Sequence, residues 1–232
     1  MRTSVGGPTV RVRFDPALIP ESPNLEFESA LWLAGTLLVA GLDEAGRGAL
    51  AGPVFAAALV LPPEPERAAG LLASARDSKQ LAARTRETLA ERIKTECAAW
   101  GLGWAEADEI DQVGIARASR LAFCRALDAL PLSPEHLLLD YFRLPESPLP
   151  QTALVKGDQR SLSIACASIL AKTARDARMR MEEERFPGYA FGRNKGYGTE
   201  RHRRAIAELG TCPLHRQSFS LHLCSHLSGS AA

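Results

Sequence analysis

Gly41-Leu42-Asp43-Glu44-Ala45-Gly46-Arg47-Gly48 is the stretch around which the chain is organised. Leu37-Leu38-Val39-Ala40 precedes it, an apolar run of strand length, and Pro53-Val54-Phe55-Ala56-Ala57-Ala58-Leu59-Val60-Leu61 follows it as a second buried strand. Two adjacent carboxylates therefore stand where a core strand ends and a glycine-rich turn begins. Neighbours on a strand point to opposite faces, so Asp43 and Glu44 reach one ligand only if the strand bends there. Gly46, Gly48 and Gly52 permit the bend and let backbone approach a phosphate or sugar closely. A polar turn closing a hairpin is the plain alternative. Acids packed against an apolar strand are costly unless a cation satisfies them, and a metal ion would.

The composition is that of a globular protein with a real core: 232 residues, 46% hydrophobic and 24% charged. That length suits one large domain, with or without appendages. The net charge of +1 is unevenly spread, because Lys156 to Arg216 holds 13 Lys/Arg against 7 Asp/Glu while the remainder is acidic. The back of the chain thus reads as a surface for a polyanion, or as solvated helix faces. Five cysteines (97, 124, 166, 212, 224) show no C-x-x-C spacing, and Cys166 in a small-residue helix is expected to be buried. Reduced thiols, no signal pattern and no apolar run of membrane-span length predict a cytoplasmic protein with no membrane association.

Residues 1–34 read as an N-terminal extension. Val10, Val12 and Phe14 alternate as in a short strand, then Pro16, Pro20 and Pro23 break regular structure. Further on, helix-period residues run over 83–95, and 98–105 reads as a strand with Trp100, Leu102 and Trp104 on one face. A helix is expected over 115–129. Leu137-Leu138-Leu139-Asp140 is a short apolar strand delivering an acid, and 152–155 does the same into Lys156-Gly157-Asp158. The stretch 161–185 predicts a helix, apolar nearly all round over 164–174 and hence buried. Phe186-Pro187-Gly188 ends it, and another helix follows over 199–209. The pattern implies an α/β fold, a mixed sheet flanked by helices over 35–185, with a helical region and tail over 186–232.

Three strand ends deliver Asp43 and Glu44, Asp140, and Asp158. If those strands are neighbours, four carboxylates meet at one end of the sheet, where open α/β sheets place their sites. Oxygen-only ligands suit Mg²⁺ or Mn²⁺. Two such ions roughly 4 Å apart clamp the attacking water and the leaving oxygen in phosphodiester hydrolysis. Singly, each acid is as readily a turn former. Together with glycine turns and a basic back half, they point to a nuclease.

Gly41 through Val54 resembles the opening signature of the ribonuclease HII family. Four further blocks are similar to that family in the right order: Asp77-Ser78-Lys79; Lys156-Gly157-Asp158 with Ile164 through Lys172; Gly196-Tyr197-Gly198-Thr199; and Pro213 through Phe219. The resemblance implies a ribonuclease H-like fold with a four-carboxylate, two-metal site at Asp43, Glu44, Asp140 and Asp158. It further implies that Gly46-Arg47-Gly48 reads a ribose 2′-hydroxyl, and that Tyr197 packs by the sugar at an RNA–DNA junction. The 2′-hydroxyl is what distinguishes RNA from DNA at a given position. Lys79, Lys172, Arg47 and His202 are candidate phosphate contacts or solvated charges. Asp176, one helical turn after Lys172, is read as its ion-pair partner rather than a metal ligand. The chain departs from the family at Tyr141, where glycine is usual, at Ala49 in place of proline, and at Cys166 in place of alanine.

The expected protein is a monomeric endoribonuclease acting on RNA–DNA hybrids and on ribonucleotide-containing duplex DNA, cutting 5′ to the ribonucleotide with Mg²⁺ or Mn²⁺. The rival readings are another nuclease of the same fold and a catalytically silent hybrid-binding protein.

Overall fold

The fold is built outward from Val54–Val60 (β2), a strand buried along its whole length. In the computed structural model, which describes residues 14–68, 70 and 83–220, β2 lies second in a five-stranded sheet of order β3-β2-β1-β4-β5. The other strands are β1 (Val39–Ala45), β3 (Ala99–Ala105), β4 (His136–Asp140) and β5 (Gln151–Leu154). The first three are antiparallel neighbours, whereas β1/β4 and β4/β5 run parallel. The sheet is therefore mixed, as expected.

Alternation along β2 assigns the two layers. Val54, Ala56, Ala58 and Val60 join Ala118, Ala122, Phe123 and Ala126 of helix α4 (Ile115–Asp128) in one core. Ala57 and Leu59 join Cys166, Ala167 and Leu170 of helix α5 (Leu162–Arg185) in the other. Small side chains on the strands let both helices lie close. In β3 the tryptophan face is the less buried one, and Ala99, Gly101, Gly103 and Ala105 form the buried face. A Cβ at Gly101 or Gly103 would stand 2.3 Å from the carbonyl oxygen of Ala126 or Ala122, so the backbone of α4 rests directly on the strand.

Glu26–Leu33 (α1) is helical where the sequence gives no regular element. A buried polar anchor holds it, together with Phe27, Leu31 and Trp32, which pack against Val39, Leu138, Leu154 and Ile164. Glu28 is fully buried, and its Oε1 accepts bonds from Ser161 Oγ (2.6 Å), Ser163 N–H (2.9 Å) and Ser163 Oγ (2.6 Å). These groups start α5, whose N-terminal dipole favours a negative charge. Ser161 also caps the helix through Ile164 N–H.

Further helices are α2 (Ala83–Glu96), α3 (Ala107–Val113), α6 (Phe191–Asn194) and α7 (Glu200–Leu209). Leu50, Ala51, Met179, Phe191, Ile206 and Leu214 form a separate small core that ties this C-terminal helical region to the loop after β1. Cys97, Cys124, Cys166 and Cys212 are free thiols, with Cys166 buried. No helix among the described residues is long and apolar enough to cross a membrane. The strand expected at Val10–Phe14 lies outside the described residues except for Phe14, and Asp77-Ser78-Lys79 and the tail from 221 lie outside them entirely.

Candidate active site

Parallel pairing of β1 with β4 brings the acids together. The last paired residues are Leu42 and Leu139, so Asp43 and Asp140 leave neighbouring strands at the same level. Asp140 is still paired with Leu154 of β5, and the chain after β5 returns through a 3-10 turn, Gly157–Gln159, that carries Asp158. Gly157 N–H donates to Asp140 Oδ1 at 2.7 Å. A Cβ at Gly157 would meet Ile164 Cδ1 at 2.7 Å, so a side chain there would have to displace that methyl.

The expected bend at the acids falls one step later. Pairing with β2 continues unbroken through Asp43, Glu44 and Ala45, and the chain turns at Gly46, φ 89°. Glu44 N–H donates to Asp43 Oδ1 at 2.7 Å, and the Ser168 hydroxyl of α5 is a second partner of Asp43. Burial first, then the charges of Glu44, Asp140 and Asp158, hold the Asp43 carboxyl well above the usual carboxylate range; the Ser168 bond works the other way. Burial likewise raises Glu44, offset by Arg47 and reinforced by Asp140. The four acids thus share one field. Among the described residues no group of three or more His, Cys, Asp or Glu side chains is arranged to hold a metal ion; Asp43 and Asp140 each give an oxygen to a backbone N–H instead.

Beside the acids a cavity of about 400 Å³ is lined by Glu44, Gly46, Arg47, Gly48, Ser168, Lys172 and Tyr197. Of the expected site residues, Glu44, Gly46, Arg47, Gly48, Lys172 and Tyr197 line this cavity; Asp43, Asp140 and Asp158 act on one another's charge beside it without lining it, and Lys79 lies outside the described residues. Lys172 Nζ pairs with Asp176 Oδ1 at 2.5 Å, the expected ion pair. Arg86, a residue the sequence reading passed over, also lines the cavity and reaches Asp176 Oδ2 at 3.5 Å.

Two buried arginines hold the glycine-rich loop from behind, and neither was singled out from sequence. Arg216 donates to the carbonyls of Gly46 (2.8 Å), Arg47 (2.9 Å) and Gly52 (2.9 Å). Burial and the nearby Arg175 charge push its guanidinium down to about 9; the three carbonyls favour the charged form. Arg175 donates to the carbonyls of Pro53 (2.8 Å) and Ala51 (3.2 Å). Its Nε would stand 1.8 Å from a Cβ at Gly46. The signal for Arg175 was present: Ala171, Arg175 and Met179 recur every four residues on the buried stripe of α5.

Tyr197 is 36% exposed. The Lys172 ammonium and the Arg175 guanidinium lie 5.6 and 5.3 Å from its ring centre. Its turn docks on the glycine loop, with Gly196 O accepting from Leu50 N–H at 2.8 Å. His202 is not at the surface, contrary to its reading as a phosphate contact: it is fully buried because α7 turns His202, Ala205 and Ile206 inward together. Its Nδ1 bonds the Tyr197 carbonyl at 2.9 Å, and its Nε2 meets His215 Nε2 at 3.1 Å. Cys212 N–H donates to His215 Nδ1 at 2.9 Å. The Tyr197 carbonyl needs a donor at His202 Nδ1, whereas His215 Nδ1 faces both the Cys212 amide and, at 3.2 Å, the Cys212 carbonyl, and so can accept or donate there. The contact between the two Nε2 atoms holds a single proton, so the rings are not both fully charged. Burial agrees, lowering His202 and pushing His215 down to about 4.

The profile described as Ribonuclease HII matches residues 40–222, which spans the acids, the glycine loop, Tyr197 and Arg216. A curated relative named Ribonuclease HII from Chloroflexus aurantiacus is 51% identical over 197 residues, 85% of this chain and 93% of the relative. Among solved structures, ribonuclease H2 from Pyrococcus horikoshii OT3 superposes with a TM-score of 0.68 at 23% identity, covering 79% of this chain and 94% of that one. Bst-RNase HIII in complex with Mn²⁺ superposes at 0.59 and 20% identity, covering 80% and 68%. These likenesses give the ribonuclease H-like fold to the sheet and its flanking helices. With the matched span reaching from β1 past Arg216, the chain belongs to the ribonuclease HII family of ribonuclease H endonucleases.

Proposed function

We propose that this endonuclease hydrolyses the RNA strand of RNA–DNA hybrids and cuts duplex DNA on the 5′ side of an embedded ribonucleotide, using Asp43, Glu44, Asp140 and Asp158 with Mg²⁺ or Mn²⁺. One observation carries the reading: burial first, and then the charges of Glu44, Asp140 and Asp158, push the Asp43 carboxyl well above the usual carboxylate range. Such a set gains most from a cation among its members. The donors are all oxygen, which fits a hard divalent ion, and the Mn²⁺ complex of a protein of the same fold supports that chemistry. Two ions held there by Asp43, Glu44, Asp140 and Asp158 would supply an activated water and stabilise the leaving 3′-oxygen.

The chain's own residues orient the substrate. Gly157 N–H and Ser168 fix Asp140 and Asp43. The space beside Gly48, where a Cβ would meet nothing within 4 Å, lets the backbone of the Gly46-Arg47-Gly48 turn reach a ribose 2′-hydroxyl. Tyr197 packs against that sugar, and Lys172 and Arg47 meet flanking phosphates, with Lys79 in the same role. The protein acts as a monomer.

Asp43→Asn tests this. Cleavage is expected to fall by about 100-fold or more, because a ligand charge is lost. A carboxyl whose folded pKa is raised stabilises fully only below its unfolded pKa, and that stability is lost as pH rises through the folded value. Removing the charge at pH 7 should therefore leave the metal-free protein at least as stable as wild type. Near-normal cleavage by the variant, or a clear fall in its metal-free melting temperature, would place the site elsewhere.

A further inference from the structure

The chain leaves β4 through a tight turn directly after Asp140. Tyr141 has φ 69°, and Phe142 N–H donates to the Asp140 carbonyl at 2.9 Å, which makes a γ-turn with Tyr141 at its tip. That conformation is rare and strained for any side chain, and glycine adopts it most readily. The position nevertheless carries a large phenol, and it is 70% exposed.

The ring is therefore not kept for the core. Strain of this kind persists only where the surroundings impose it, and here they do. Tyr141 N–H continues the β4–β5 ladder by donating to Leu154 O at 2.8 Å. Phe142 packs edge-on against Phe123 at 5.6 Å and lies under the Arg47 guanidinium at 5.3 Å. Arg47 belongs to the glycine turn that lines the cavity. Tyr141 thus stands between a carboxylate of the site and a residue that touches the substrate-reading turn.

We infer that Tyr141 is a substrate-contacting residue, whose ring packs against the nucleic-acid duplex where β4 ends at the site. The inference rests on the placement of the site at Asp43, Glu44, Asp140 and Asp158. Two aromatic residues then border the cleaved strand, and the strain at Tyr141 accompanies a contact made only with substrate bound. Both faces of an exposed phenol can meet a sugar or base without regard to sequence.

Strain and contact predict opposite signs for one substitution. Tyr141→Gly relieves the turn, so the melting temperature should hold or rise. The same variant should bind a labelled DNA duplex containing one ribonucleotide about 5-fold more weakly or worse, measured by fluorescence anisotropy in chelator at fixed salt. Tyr141→Phe keeps the ring and should bind within about twofold of wild type. Wild-type affinity in Tyr141→Gly overturns the proposal, and so does a lowered melting temperature or failure to fold, since the ring would then be structural. Asp43→Asn in parallel separates the two readings. If Asp43→Asn is inactive while Tyr141→Gly binds as wild type, only the Tyr141 role fails; if Asp43→Asn cleaves normally, the site itself is misplaced.

Discussion

The two outer glycines of the Gly46-Arg47-Gly48 turn should respond in opposite ways to the same added methyl. At Gly46 the backbone is left-handed, φ 89°, and a Cβ would lie 1.8 Å from Arg175 Nε. A non-glycine residue in that conformation costs roughly 1–2 kcal/mol. Arg175 would also have to move, breaking bonds to the carbonyls of Pro53 and Ala51 worth about 1 kcal/mol each. Gly46→Ala should therefore lose about 3–4 kcal/mol, or roughly 10 °C in melting temperature for a domain of this size. At Gly48 nothing stands within 4 Å of the new methyl, so Gly48→Ala should melt within about 2 °C of wild type. It should still lose activity, because the methyl occupies the space through which a ribose approaches; a small misplacement there costs on the order of 100-fold in kcat/KM. Scanning fluorimetry and steady-state cleavage of a single-ribonucleotide duplex read both quantities. If Gly46→Ala melts like wild type, the arginine clamp does not hold the turn; if Gly48→Ala cleaves like wild type, the turn does not read the sugar.

Other perturbations follow from the same geometry. Arg216→Lys cannot reproduce a planar fork on the carbonyls of Gly46, Arg47 and Gly52; it should lose about 2–3 kcal/mol in denaturant unfolding and reduce cleavage, though it touches no substrate. The buried His202–His215 pair makes stability pH-dependent. With the folded pKa of His215 pushed below its unfolded value to about 4, the unfolded chain binds the proton first as pH falls. Stability is then fully present above about 6.5 and falls by up to about 3 kcal/mol toward pH 4, a slope that His215→Gln should flatten in urea titrations. Tyr197→Ala should lose more kcat/KM on one embedded ribonucleotide than on a continuous hybrid, by about 5-fold or more, since neighbouring 2′-hydroxyls offer alternative registers; equal losses would leave Tyr197 a packing residue.

The acids were legible because a strand end is a local signal. Leu37 to Asp43 and Leu137 to Asp140 each show an apolar run and then a charge, and the sheet order puts those ends side by side. The buried α5 was legible from its all-round apolar stretch. Long-range polar burial was not. Glu28, Arg175, Arg216, His202 and His215 are buried, yet their residue types favour the surface; the partners of Glu28, Arg175 and Arg216 are serines or carbonyls far along the chain, and the two histidines face each other. The count of basic residues over 156–216 overstates the free positive charge of that region. Arg175 and Arg216 serve buried backbone carbonyls, and Arg178, Arg180, Arg185 and Arg204 are paired with carboxylates at or near the surface. The helix Glu26–Leu33 was hidden because three prolines precede it and a buried carboxylate anchors it.

The most direct measurement is cleavage of a DNA duplex carrying one ribonucleotide, with product ends mapped in Mg²⁺, in Mn²⁺ and in chelator. A water-mediated cut at the carboxylate site predicts a single break on the 5′ side of the ribonucleotide, leaving a 3′-hydroxyl and a 5′-phosphate, and no cleavage in chelator. A cut on the 3′ side leaving a cyclic 2′,3′-phosphate, or cleavage that persists without divalent ions, would contradict it.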